Sequence, residues 1–233
     1  MPTTSEVREL TYLLRAEPDH TRRRTRIGCV PELRLQQLQA LVGALPLAGP
    51  GLSADAVRLR SAPQLAALRT GALRLGVVHG AAHAGIETEP LFEGEPLAAL
   101  LPVHHPTSGR APLEPDDLAA ETLLRMPRWA DTALYDELTA SIEATGYRFR
   151  RTQDLVSADV TDLLFAVASG SGAALAPLST LAAGGEHGTI VTATALEPAP
   201  VMAATALAWP STAPPGEAAE LRAVARSLRR GGQ

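Results

Sequence analysis

The sequence contains no lysine, so all 21 of its basic side chains are arginine. It has one cysteine, Cys29, and only two tryptophans, three tyrosines and three phenylalanines among 233 residues. One cysteine excludes an intramolecular disulfide and any zinc site built on cysteine pairs, and it suits a reducing compartment. So few aromatics leave the core to Leu, Val and Ala, within an ordinary hydrophobic fraction of 45%. The missing lysine, beside abundant Ala and Arg, reads as a coding bias rather than chemistry. No apolar run of about 18 residues occurs, so no segment has the length of a membrane-spanning helix. Residues 1–20 carry Glu6, Arg8, Glu9, Arg15, Glu17 and Asp19 and have no apolar stretch of the kind a secretory signal needs. A positive excess is also lacking: the net charge is −4, whereas proteins that live on phosphate backbones usually present a net positive face. The expected location is the cytoplasm.

What is present is alternation. Residues 5–16 have helical spacing at Val7, Leu10, Leu13 and Leu14, ended by Pro18 and Asp19. The arginine run Arg22, Arg23, Arg24, Arg26 then enters a short strand, "TRIGCV", stopped by Pro31. An amphipathic helix follows, with Leu33, Leu35, Leu38, Leu41, Val42 and Leu45 on one face, broken by Pro46 and Gly49-Pro50-Gly51. "AVRLRSA" alternates Val57 and Leu59 against Arg58 and Arg60, which predicts a half-exposed strand with both arginines outward. "PQLAALRTG" begins with Pro63 and stops at Gly71, a helix, and "ALRLGVVHG" is a third strand. This β-α-β-α-β order implies a parallel sheet.

Residues 86–105 read as extended chain with a break at Gly94, and the Pro-rich segment 106–117 as a boundary. The alternation then resumes. "ETLLRMPR" is a strand, and a helix capped by Asp131 stops at Gly146. "RFRRTQD" is a strand with outward arginines, followed by a helix capped by Ser157 and a buried strand "SGAALAP". Two β runs, "GTIVTATAL" and "PVMAATALAW", precede a C-terminal helix. The fold class is α/β. Such sheets bind ligands at the carboxyl ends of their strands.

The order and spacing of these segments resemble the effector-binding domain of LysR-type transcription regulators from about Arg26 to Arg229. "TRIGCVPELRLQQLQALVGAL" is similar to the family's hinge, first strand and first helix. "VRLRSAPQLAALRTGALRLGVVHG" resembles its second strand, the helix ending L-x-x-G and the third strand. "EPLFEGEPLAALLPVHHP" looks like its crossing strands, and "FAVASGSGAALAP" its V-x-x-G-x-G-x-x-L-x-P element. The resemblance implies a type II periplasmic-binding-protein-like fold: two lobes, each a doubly wound, mostly parallel sheet, joined by two crossover strands. Residues 1–24 would be a linker remnant with a short helix, 25–105 plus 191–233 lobe I, and 106–190 lobe II. A small effector, often anionic, would bind between the lobes, and the domains would pair side by side as dimers. The family's winged helix-turn-helix has no counterpart before the first strand, so direct nucleic-acid binding is not carried over.

The loops after strands supply the candidate ligand-binding residues: Pro31 and Glu32, then Ser61, Ala62 and Gln64, with Arg128, Trp129, Asp131, Ser157 and Pro177 in lobe II. Ser61 lies where similar proteins place a hydroxyl on a ligand carboxylate, although Ser61 and Ser157 could serve simply as helix caps. Arg128 could clamp a carboxylate and Trp129 offer a flat wall, or Trp129 could pack beneath its loop. Glu32 would repel an anion and take an amine or hydroxyl, or else face solvent.

Metal binding is not expected. Gly80 and Gly85 argue against one helix presenting both His79 and His83, and adjacent His104 and His105 point apart in extended chain. Cys29 reads as a core residue. "ASGSGAA" is not a nucleophile elbow, and its glycines point to close helix-to-strand packing. No cofactor is expected. The leading expectation is a ligand-sensing domain without its own DNA-binding module. The alternatives are an enzyme on the same fold, of lyase type and acting on a cyclic or aromatic carboxylic acid, or a truncated partner of a full-length regulator.

Overall fold

The computed structural model describes residues 24–45, 53–80, 84–107, 110–177 and 190–231, and among the described residues ten strands and five α-helices follow one another. In chain order they are β1 (Arg24–Cys29), α1 (Leu35–Ala44), β2 (Ser53–Arg58), α2 (Ser61–Thr70), β3 (Leu75–His79), β4 (Ile86–Phe92) and β5 (Leu97–Pro102). Then come β6 (Thr122–Arg125), α3 (Thr132–Ala144), β7 (Arg151–Asp154), α4 (Val160–Ala168), β8 (Ala173–Pro177), β9 (Val191–Ala195), β10 (Thr205–Pro210) and α5 (Pro215–Gly231). The helix expected over residues 5–16, Arg22, Arg23, the turn at 49–51, and His83 lie outside the described residues.

The chain forms two compact units. The first takes the described residues up to Glu93 and from Ala204 onward; the second is Gly94–Ala203. The chain therefore passes from one unit to the other twice. In the first, the strand order is β2-β1-β3-β10-β4. β1 pairs in parallel with β2 and β3, and β10 runs antiparallel between β3 and β4. The second repeats this plan as β7-β6-β8-β5-β9, with β6 parallel to β7 and β8 and with β5 antiparallel to β8 and β9. Each sheet is thus mixed. Its parallel part is the three strands linked by helical crossovers, as right-handed β-α-β units require. Sheet membership places β5 and β9 in the second unit, whereas the sequence grouped residues 97–102 and 191–195 with lobe I.

Both faces of the first sheet are covered. Ile27, Leu41, Leu45, Val77, Leu207, Trp209 and Leu221 pack on the side of α1 and α5. Leu59, Leu65, Leu68, Val78 and Ala208 pack on the side of α2. The second sheet buries Leu97, Leu101, Leu123, Ile142 and Tyr147 on one face and Leu100, Leu124, Leu164 and Val167 on the other.

Local chemistry accounts for the helix ends. Gly71 and Gly146 stop α2 and α3 in the left-handed region, at φ 76° and 86°, where a side chain would be strained. Asp131 caps α3, its carboxylate accepting the Leu134 N–H at 3.2 Å. The cap of α4 is Asp159, which accepts the Thr161 N–H, and not Ser157 as the sequence suggested. Ser157 stands two residues upstream and accepts the Asp159 N–H at 3.1 Å. No described helix is long and apolar enough to cross a membrane.

Candidate functional site

Parallel β-α units bring strand carboxyl ends together with helix N-termini. In the first unit that edge carries a charged cluster. Glu32 follows β1, Arg60 and Ser61 join β2 to α2, and His79 is the last residue of β3. The Glu32 carboxylate lies 3.5 Å from the Arg60 guanidinium and 3.6 Å from His79 Nε2. The side chains of Arg60 and His79 are 7% and 1% exposed and that of Glu32 is 23% exposed, so the acid is the member that solvent reaches. The Ser61 hydroxyl accepts the His79 backbone N–H at 3.1 Å, tying the first turn of α2 to the end of β3.

Burial pushes the Glu32 carboxyl up. The hydrogen bond and charge of His79 and the charge of Arg60 outweigh that effect and hold it below the usual glutamate range. At neutral pH Glu32 is a carboxylate, an acceptor only. Read from the sequence alone, Glu32 is a carboxylate that repels an anion and takes an amine or hydroxyl, or else faces solvent. In the structure it is not alone, because the Arg60 guanidinium and the His79 imidazole flank it.

Arg60 and His79 are the residues that the candidate set missed. The alternation of "AVRLR" places Arg60 outward. The strand ends at Arg58, so its two-residue period does not extend to position 60, and Arg60 is buried as the N-cap residue of α2. In the sequence His79 stands out only as a possible metal ligand beside His83. Its place at the end of a fully buried strand was the available signal.

Of the first-unit candidates, Pro31 and Glu32 are half-buried, Ser61 is buried and Ala62 is exposed. Gln64 is fully buried. Its Nε2 donates to the carbonyls of Leu59 at 2.6 Å and Val77 at 2.9 Å, so it joins backbone to backbone rather than facing solvent.

In the second unit, Arg128 is exposed and forked onto Asp136, with Nε–Oδ1 at 2.8 Å and Nη2–Oδ2 at 2.6 Å. That two-point contact raises the Arg128 pKa and lowers that of Asp136. The guanidinium expected to clamp a ligand carboxylate already holds a protein one. Trp129 is 45% exposed, whereas the other tryptophan, Trp209, is in the core. Asp131 is buried as a helix cap, and Pro177 is buried at the end of β8 opposite Leu97.

The chain belongs to the family described as the LysR substrate binding domain, whose model matches residues 18–231. No curated protein matches it. Among solved structures it is similar to the reduced form of the OxyR regulatory domain from Pseudomonas aeruginosa, at 19% identity and a TM-score of 0.66, covering 88% of this chain and 97% of that one. It is similar to the effector binding domain of a BenM variant, at 20% identity and a TM-score of 0.69, covering 88% and 94%. HinK, a LysR family transcriptional regulator from Pseudomonas aeruginosa, matches at 20% identity and a TM-score of 0.63, covering 96% and 76%. At these identities the likeness shows the fold, which is the type II periplasmic-binding-protein-like one.

Proposed function

We propose that this chain is the effector-binding domain of a LysR-type regulator. It would hold a small organic molecule at the carboxyl ends of β1, β2 and β3 and act through a change in the arrangement of its two lobes or of a dimer. The carrying observation is the Glu32-Arg60-Ser61-His79 cluster, with its one partly exposed carboxylate. Paired charges at this edge give a ligand both an ionised acceptor and a neighbouring cation, and suit a carboxylic acid that also carries a hydroxyl or amine. A ligand shifts such an equilibrium only by its differential affinity for the two states. DNA contact is not proposed for these residues. The expected dimer would use lobe edges, where β2 and β7 are edge strands of their sheets. Sedimentation of the purified chain tests that pairing: a monomer at about 100 μM, some 100 times a micromolar Kd, would contradict it.

A thiol-based redox response fits poorly. Cys29 is buried in β1 and its thiol is pushed up to about 12 by burial, against the opposing pull of Arg58.

Thermal melting with a panel of aliphatic and aromatic carboxylic acids tests the effector role. At least one acid should raise the melting temperature of the wild-type chain. A flat response across the panel would contradict the proposal.

One observation favours a lyase-type enzyme as a second reading: a carboxylate and an imidazole, Glu32 and His79, lie side by side. A general base must reach the proton it removes, however, and His79 is 1% exposed. Turnover of a cyclic carboxylic acid, followed by mass spectrometry, would support this reading over the first.

A further inference from the structure

Gln64 lies beneath the cluster on the helix face that also carries Ser61, one turn earlier. Its amide has a fixed orientation, because Nε2 donates to two carbonyls and a flipped amide would set oxygen against oxygen. Oε1 then lies over the sheet, buried and without a hydrogen-bond partner.

What lies under it is a pair of glycines. Gly28 of β1 and Gly76 of β3 are register partners. A Cβ at Gly28 would come within 2.6 Å of Gln64 Oε1, and one at Gly76 within 2.7 Å. The two glycines therefore form a slot across adjacent strands, and the Gln64 side chain fills it. The unpaired Oε1 is a standing cost, since a buried acceptor without a partner gives up its hydration and gains no hydrogen bond in return. A leucine or methionine would fill the same volume without that cost. The retained amide does what they could not: it grips Leu59, immediately before Arg60, and Val77, two residues before His79. The strands it grips are also tied to β1, through Leu59 N–H to Cys29 C=O at 2.9 Å and Val30 N–H to Val77 C=O at 3.3 Å.

We propose that Gln64 is the positioning residue of the strand-end cluster: laid in the Gly28–Gly76 slot, its amide fixes the separation of the chain ends that carry Glu32, Arg60 and His79. This rests on taking the cluster as the binding site, but its test needs no ligand. Gln64→Met keeps the length of the side chain and removes both donors. The readout is the His79 ring signal in a proton NMR titration of the full chain, assigned by its loss in His79→Asn. In Gln64→Met the Glu32 carboxylate moves off the imidazole, and the His79 midpoint falls to lower pH. Val224→Ala, a core change on α5 of the same unit, lowers the melting temperature and leaves that midpoint in place. If Gln64→Met does not fold, the same titration in Gly28→Ala carries the test, because the added methyl displaces the amide from the other side. In addition, Gly28→Ala combined with Gln64→Ala should melt above the sum of the two single losses, since removing the amide opens room for the methyl. A His79 midpoint unmoved in the folded variant, or strictly additive melting losses, overturns the positioning role. Because both readouts are taken without ligand, failure to find any effector contradicts the proposed function and leaves them standing.

Discussion

Two side chains near the strand ends make separable predictions at the scale of single residues. Cys29 is buried with its thiol pushed up to about 12, so at pH 8 the native chain should not react with a thiol reagent, and the chain in denaturant should. Rapid labelling without denaturant would contradict the burial of β1. Glu32 has a folded-state pKa below its ordinary value of 4.5, so it contributes stability that is fully present above that value and lost as pH falls through the folded one. Glu32→Gln should therefore unfold at lower urea than wild type at pH 7 and show a shallower loss below pH 4.5. Parallel acid limbs in the two proteins would show that Glu32 is not held by its partners. The sequence pointed to Glu32 and Ser61 through their places after strands, and it could not show what they touch. Glu32 and its partners His79 and Arg60 lie far apart in the chain, and only pairing of β1 with both β2 and β3 brings them together.

Elements show which forces the fold relies on. α5 lies over β4 with two ion pairs in step: Glu87 with Arg222, and Glu89 with Arg226 at 2.9 Å. Strand spacing of two and helix spacing of four bring these charges level. Glu87 also accepts the Trp209 Nε1–H at 3.2 Å. The arginines of both pairs are substantially exposed, so solvent screens them and each pair contributes little. Leu221, buried beneath the same helix, should cost about 2–5 kcal/mol when cut to Ala. Urea midpoints of Glu89→Gln and Leu221→Ala should differ in that order, and the reverse order would contradict it.

Gly172 makes a sharper case. A Cβ there would meet the Thr122 carbonyl of β6, so Gly172→Ala should cost about 1–3 kcal/mol by overpacking, read from the shift in melting temperature. An unchanged melting temperature would refute that contact. The sequence had taken this glycine for close packing of helix against strand; the neighbour is a strand. The alternation of strands and helices was legible because apolar periodicity and the stops at Gly71 and Gly146 are local signals. Sheet membership of β5 was not. Leu97, Ala98, Ala99, Leu100 and Leu101 are all buried, and a run that is apolar on both faces carries no mark of which sheet it joins.

At the scale of the molecule, the two units share one plan, three strands joined in parallel and a fourth running antiparallel between the third and an edge strand, and the family match extends over 18–231. The central claim is that the strand ends of the first unit bind a small acid. Calorimetric titration with the acid that raises the melting temperature most, into wild type, Ser61→Ala and Glu32→Ala, tests it most directly. Saturable binding to wild type, weakened at least about tenfold in both variants, is the predicted result, since loss of a hydrogen bond to a charged group removes about 1.5–3 kcal/mol. Equal affinity in all three chains would contradict it.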